Sequence, residues 1–301
     1  MAASSKKVIL AALIGNSLIA VTKFIAASLT GSSAMFSEGI HSLVDTGNQG
    51  LLLYGLKAAK KPADTEFPFG HGKEIYFWSF VVAILIFAVG AGISIYEGVH
   101  HILHPAEISN PMINYIVLGL AIIFESGALY IAVKEFDKAR GKLGYLKAVK
   151  HGKDPSLFVV LFEDSAAMLG LFIALGGVTL AQLTGNAIWD GIASVAIGFI
   201  LAGTALWLAI ETKSLLIGEG ADKETVKEIN TIAGAHDEVE QVNEILTLHM
   251  GPEFILATIS LEFKRGLKTG RIETITHSLD QEIKERFPRI KRIFIEAEFK
   301  K

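Results

Sequence analysis

The sequence predicts an α-helical membrane protein of six transmembrane helices followed by a small α+β domain of ferredoxin-like type. Three observations predict it. The 301 residues are 51% hydrophobic with a mean hydropathy of +0.45, above the usual range of a soluble domain. Charge is unevenly distributed: 30 of residues 1–217 are Lys, Arg, Asp or Glu, against 29 of the 84 residues in 218–301. Apolar runs of membrane length fill the first part, and amphipathic patterns fill the second. A transmembrane domain is therefore expected over 1–217 and a cytoplasmic domain over 218–301. The net charge of −3 and the absence of a basic groove argue against a nucleic-acid partner. With no cysteine, the chain has no disulfide, thiolate ligand or cysteine nucleophile. Any metal must be held by His, carboxylate or other oxygen ligands.

A helix needs about 20 largely apolar residues to cross a bilayer core of about 30 Å. The six runs that meet this are 8–30, 34–57, 75–103, 112–133, 157–183 and 187–210. None alternates with period two, which disfavours a barrel. Lys6 and Lys7 precede the first run. Lys57, Lys60, Lys61 and Lys73 lie between the second and third, and seven basic residues from Lys134 to Lys153 lie between the fourth and fifth. The opposite loops, Thr30–Ser33, His104–Pro111 and Thr184–Asn186, hold no Lys or Arg. The positive-inside rule places both termini in the cytoplasm. Only seven residues precede the first run, so no transit peptide is expected and a prokaryotic inner membrane is the simplest location.

In the tail, Asp222–Gly234 reads as an amphipathic helix opened by Asp222. Gln241–His249 and Phe254–Phe263 alternate as strands about a Met250-Gly251-Pro252 turn. Thr269–Phe287 reads as a second helix stopped by Pro288, and Arg292–Phe299 as a last strand. The order αββαβ gives a sheet with helices on one face.

Ionisable groups at membrane depth cost about 2.5–3.5 kcal/mol on insertion scales and mark functional sites. The second span carries Glu38, His41 and Asp45; the fifth carries Glu163 and Asp164. His41 and Asp45 are one turn apart on one helix face, a spacing at which an imidazole and a carboxylate share a divalent cation. Glu38 extends that face. At about 1.5 Å per residue, Asp45 and Asp164 both lie about 18 Å from the outer surface, so they meet if their helices are neighbours. A divalent cation between them relieves their repulsion, and its binding displaces protons. The alternative is a neutral carboxyl pair that only fixes packing. Glu125, in mid-span, is either a buried hydrogen-bond partner or a proton acceptor. Lys23 has a long stem that can snorkel, and a packing role is expected for it; Asp190, near an outer helix end, is expected to sit in a wet interface.

The run from Thr30 to Asp45, with Phe69-Gly-His-Gly-Lys73, Tyr96-Glu-Gly98 and Asp190-Gly-Ile-Ala-Ser194, resembles the motifs of the cation diffusion facilitator family. Leu161-Phe-Glu-Asp-Ser-Ala-Ala167 is similar to the branch that includes the mitochondrial zinc transporter of animals. The resemblance covers essentially the whole chain. It implies a homodimer in the lipid bilayer that exports a divalent cation, usually zinc, against protons by alternating access, without a cofactor or catalysed reaction. His41, Asp45 and Asp164 match three of the family's four transport ligands. Val160 stands where a histidine is usual, and Glu163 is the replacement in reach. Asp64 and His71 match a secondary loop site, where Phe67 takes the place of a further histidine and weak or no binding is expected. Asn243, Glu296 and Glu298 replace ligands of a tail cluster in which His277 remains. With one imidazole and several carboxylates, Mn²⁺, Fe²⁺ and Co²⁺ stay open beside zinc. A membrane-bound metal sensor is the rival reading. An intramembrane hydrolase is disfavoured, because neither a His-Glu-x-x-His pattern nor a nucleophile elbow occurs.

Overall fold

The computed structural model describes residues 2–106, 109–140, 144, 145, 148 and 155–299. It divides into two compact units, Met1–Leu56 with Phe77–Thr212 and Lys57–Tyr76 with Lys213–Lys301.

All six apolar runs are helical. They are α1 (Ala2–Thr30), α2 (Ser33–Ala58), α3 (Glu74–Leu85) continued through a π-helical turn (Ile86–Ala91) into α4 (Gly92–Leu103), α5 (Pro111–Arg140), α6 (Pro155–Thr184) and α7 (Ile188–Ile217). Among the described residues four stretches are long and apolar enough to cross a membrane: Glu74–Leu103, Pro111–Lys138, Phe158–Thr184 and Ile188–Ile217. The helix α2 is diluted by Glu38, His41, Asp45 and Asn48, all buried. Its polar residues face protein and not lipid, as a spanning helix requires. The large side chains of Leu18, Ile25, Phe124, Phe199 and Leu206 are exposed, as suits contact with acyl chains.

The helices approach closely where residues are small. A methyl group on Gly98 of α4 would lie 2.6 Å from the Val195 nitrogen of α7, and one on Gly198 would lie 2.5 Å from Ile95 Cγ1. Ser37 of α2 reaches Ser194 Oγ of α7 at 2.5 Å, and Ser194 Oγ donates to the Ser94 carbonyl at 2.8 Å. The helices α5 and α6 pack along each other, with Tyr115 Oη donating to Gln182 Oε1 at 3.0 Å. Thr30 of α1 donates to Asn114 Oδ1 of α5 at 2.9 Å.

Asp190 corrects an expectation. It is not in a wet interface but fully buried. Its carboxylate accepts from Ser33 N at 2.5 Å, Ala34 N at 3.2 Å and Ser32 Oγ at 2.7 Å. A helix start leaves four amide donors unpaired, and an anion there also opposes the helix dipole. One carboxylate on α7 thus caps α2 from outside its own sequence. Sequence distance hid this role, since the partners are more than 150 residues apart.

In the second unit the order is α8 (Lys223–Gly234), β1 (Val239–Gly251), β2 (Phe254–Phe263), α9 (Thr269–Arg286) and β3 (Ile290–Ala297). The sheet runs β1-β2-β3, antiparallel then parallel. The parallel pair needs a crossover, and α9 supplies it. Ile229 and Ala233 of α8 and Ile275, Leu279 and Ile283 of α9 are buried against Ala257, Ile259 and Leu261 of β2. Asp222 caps α8 by accepting from Thr225 N at 2.8 Å. Asp222→Ala should destabilise this unit by about 1 kcal/mol, the usual cost of a lost cap; faster hydrogen exchange confined to α8 would show it.

Candidate metal centre

The helix α2 presents His41, Asp45 and Asn48 on one face, at spacings of four and three residues. All three are buried. His41 Nδ1 lies 3.4 Å from Asp45 Oδ1, outside hydrogen-bond geometry, and among the described residues neither His41 ring nitrogen has a hydrogen-bond partner. Asp45 Oδ1 is likewise unpartnered. Orphaned buried polar atoms are rare because each forfeits its hydration. An imidazole with both nitrogens idle beside an idle carboxylate oxygen is the donor chemistry a divalent cation takes.

Across the helix interface stands Glu163 of α6, also buried. It hydrogen-bonds with the Asp45 carboxyl and accepts from Asn48 Nδ2 at 2.6 Å. Two carboxyl groups in such contact share a proton or a cation, since two bare anions repel. Asp164, half-buried, lies within electrostatic range of Asp45, Glu163 and Glu125. The expected four residues are thus gathered in one region, with Asp45 linked to both His41 and Glu163. They do not close on a point: among the described residues no three His, Asp or Glu side chains stand close enough to hold one ion.

Other candidates are placed differently. Glu38 is engaged: its Oε2 is 2.9 Å from Lys23 Nζ, and both residues are fully buried. Lys23 therefore does not snorkel; it packs inside the helices, held by an ion pair that its stem length did not announce. Its ammonium group also donates to Ser42 Oγ at 2.8 Å. Glu125 is buried on α5, within range of this ion pair and of the acidic group around Asp45. No partner for it was visible at helical spacing because its neighbours lie on other helices.

In the second unit, His71 Nε2 and Asp64 Oδ2 are 2.9 Å apart. Asp64 Oδ1 accepts from Phe67 N at 2.7 Å and Glu66 N at 3.0 Å. The His71 hydrogen bond, with those amides, holds the Asp64 carboxyl below its ordinary range. Phe67 packs on the His71 imidazole at 4.5 Å between ring centroids. In the tail, Asn243 Nδ2 donates to Ser260 Oγ and the Glu298 carbonyl, and Ser260 donates to Glu298 Oε2 at 2.7 Å. These contacts tie β1 and β2 to the chain just past β3 and, among the described residues, leave Asn243 Oδ1 without a partner.

Two residues in this region were missed by sequence reasoning, Asn48 and the cationic role of Lys23. The spacing of seven from His41 to Asn48 was the available signal for the first. Nothing local marked the second.

Buried carboxylates and an imidazole gathered among long apolar helices give an integral multi-pass membrane protein a polar interior. Comparison with known proteins agrees: the chain belongs to the cation efflux family. Residues 9–217 match the cation efflux transmembrane domain and residues 221–299 the cation efflux protein, cytoplasmic domain. It is 32% identical over 289 residues to the human proton-coupled zinc antiporter SLC30A9, mitochondrial, covering 95% of this chain and 50% of that protein. It is 29% identical to metal tolerance protein C4 of Arabidopsis thaliana, covering 89% of this chain and 61% of the relative. It is also 26% identical to the manganese efflux system protein MneP of Bacillus subtilis, covering 97% and 95%. The chain thus spans about half the length of the human relative.

Proposed function

We propose that the chain exports a divalent metal cation, zinc first, in exchange for protons. The ligands are His41 and Asp45 of α2 with Glu163 and Asp164 of α6. Residues 1–217 form the transport domain and 218–301 a cytoplasmic domain through which two copies pair. Both termini face the cytoplasm of a prokaryotic cell. The observation that carries this reading is the idle His41–Asp45 edge facing the Asp45–Glu163 contact. An incoming ion takes the imidazole nitrogen and the carboxylate oxygens and displaces the proton that the carboxyl pair shares. Loading draws α2 and α6 together around the ion. Protons arriving from the far side return the carboxyl pair to its contact and release the metal.

The human relative is named a zinc antiporter and the Bacillus relative a manganese efflux protein. Manganese is the competing cargo, favoured by an oxygen-rich ligand set with one nitrogen and no sulfur. Purified protein in sealed vesicles tests the reading. Zinc uptake that depends on the protein supports it, manganese uptake with no zinc uptake shifts the cargo, and no uptake of either ends it.

Glu163→Gln checks the fourth ligand. It keeps the Asn48 hydrogen bond but removes the charge. Metal affinity should fall by at least roughly 10–100-fold, the loss seen when even a group that only supports a ligand is removed. Unchanged affinity would assign Glu163 to packing and leave Asp164 as the sole ligand from α6.

A further inference from the structure

Lys23 places its amine at membrane depth with no exposure to solvent. Its Nζ lies 2.9 Å from Glu38 Oε2 and 2.8 Å from Ser42 Oγ, so α1 places a cation directly on α2. Among the described residues Glu38 Oε1 has no hydrogen-bond partner, and it lies against Gly170 of α6, where a methyl group would collide with it. Glu125 of α5 is within electrostatic range of both members of the pair. Lys23 also acts electrostatically on His41, the neighbour of Ser42. The Lys23–Glu38 pair of α1 and α2 thus lies against Gly170 of α6 and within electrostatic range of Glu125 of α5, beside the proposed ligands.

Stability does not explain such a pair. Desolvating two ions offsets most of their attraction, and apolar residues of similar volume usually serve as well or better. A packing role would also leave no reason to put the cation beside a cluster of carboxylates. What a buried ammonium does there is cancel negative charge. At low effective dielectric its influence on a neighbouring site is large and poorly screened.

We propose that Lys23 is a built-in counter-cation: paired with Glu38 beside His41, it sets the affinity of the transport site for its divalent ion. Too many uncompensated carboxylates would bind metal tightly and release it slowly. One fixed positive charge keeps binding weak enough for turnover. This rests on the ligand reading above.

The test is equilibrium binding of Zn²⁺ to the full-length purified protein, with flux measured in vesicles. Three variants are compared with wild type: Lys23→Met, which keeps the stem and loses the charge, Glu38→Gln, and the two together. Affinity should follow net charge. Lys23→Met should bind on the order of tenfold more tightly, Glu38→Gln should bind more weakly by a similar factor, and the double variant should return near wild type. In flux, Lys23→Met should lower KM and lower kcat together, because release slows. A bracing role would weaken binding in both single variants alike, and that result overturns the proposal. If Lys23→Met does not fold, Glu38→Gln must still bind more weakly than the double variant; equality overturns it too. Wild-type protein that binds no Zn²⁺ and no Mn²⁺ would instead sink the ligand reading, so the two failures are distinguishable.

Discussion

Asp45→Ala should reduce metal flux to the leak rate of protein-free vesicles. Asp45 is the residue on which the candidate centre turns. It stands 3.4 Å from the imidazole of His41 and in hydrogen-bond contact with Glu163. Removing it separates the α2 ligand from the α6 ligands, and one imidazole with no adjacent carboxylate is a poor site for a hard or borderline divalent cation. Asp45→Asn makes the sharper comparison, because it preserves volume and a hydrogen bond to Glu163 while removing the anionic oxygens. It too should lose flux while the protein remains folded. Glu298→Ala, which opens the hydrogen-bond set in the tail, should leave flux near wild type. Normal flux in both Asp45 variants would end the proposed site.

Much of this arrangement was legible in the sequence because the signals were local. Hydropathy runs marked the helices, and alternation about Met250-Gly251-Pro252 marked the hairpin that pairs Leu248 with Leu256. The four-residue spacing of His41 and Asp45 marked one buried polar face of α2. Asp190 was misread, and the partner of Lys23 was not foreseen. Each is a charged side chain whose partner lies on another helix. Asp190 was assigned by its distance from a helix end, yet its partners are the amides that open α2. Lys23 was assigned by the length of its stem, yet its partner is Glu38, fifteen residues away across a turn at Gly31. Gly31, with φ of 72°, ends α1 in the left-handed conformation that glycine adopts without strain and lets α2 fold back beside α1. Spacing within one helix reveals shared faces. It does not reveal which faces of different helices meet, and at membrane depth that meeting decides whether a charge is neutralised, capped or left for a ligand.

Metal accumulation should follow an imposed pH gradient. A proton crossing a difference of one pH unit releases about 1.4 kcal/mol, a factor of ten in the distribution of whatever is exchanged for it. Exchange of two protons for one divalent ion moves no net charge, so one pH unit should support roughly a hundredfold metal gradient, and exchange of one proton roughly tenfold. The sign follows from competition at the ligands. Acid protonates carboxylate and imidazole and expels metal, so metal collects on the acidic side and flux falls as the cytoplasmic face is acidified. An unperturbed imidazole titrates near about 6.5, whereas carboxylates ordinarily titrate near about 4. His41→Asp therefore separates the carriers. If His41 carries one of the exchanged protons, the variant should lose flux at neutral pH and shift its pH profile. If the profile is unchanged, the protons travel on the Asp45–Glu163 pair and His41 serves only as a ligand. A wild-type gradient that ignores the imposed pH difference would remove proton exchange and leave a facilitated path for the metal alone.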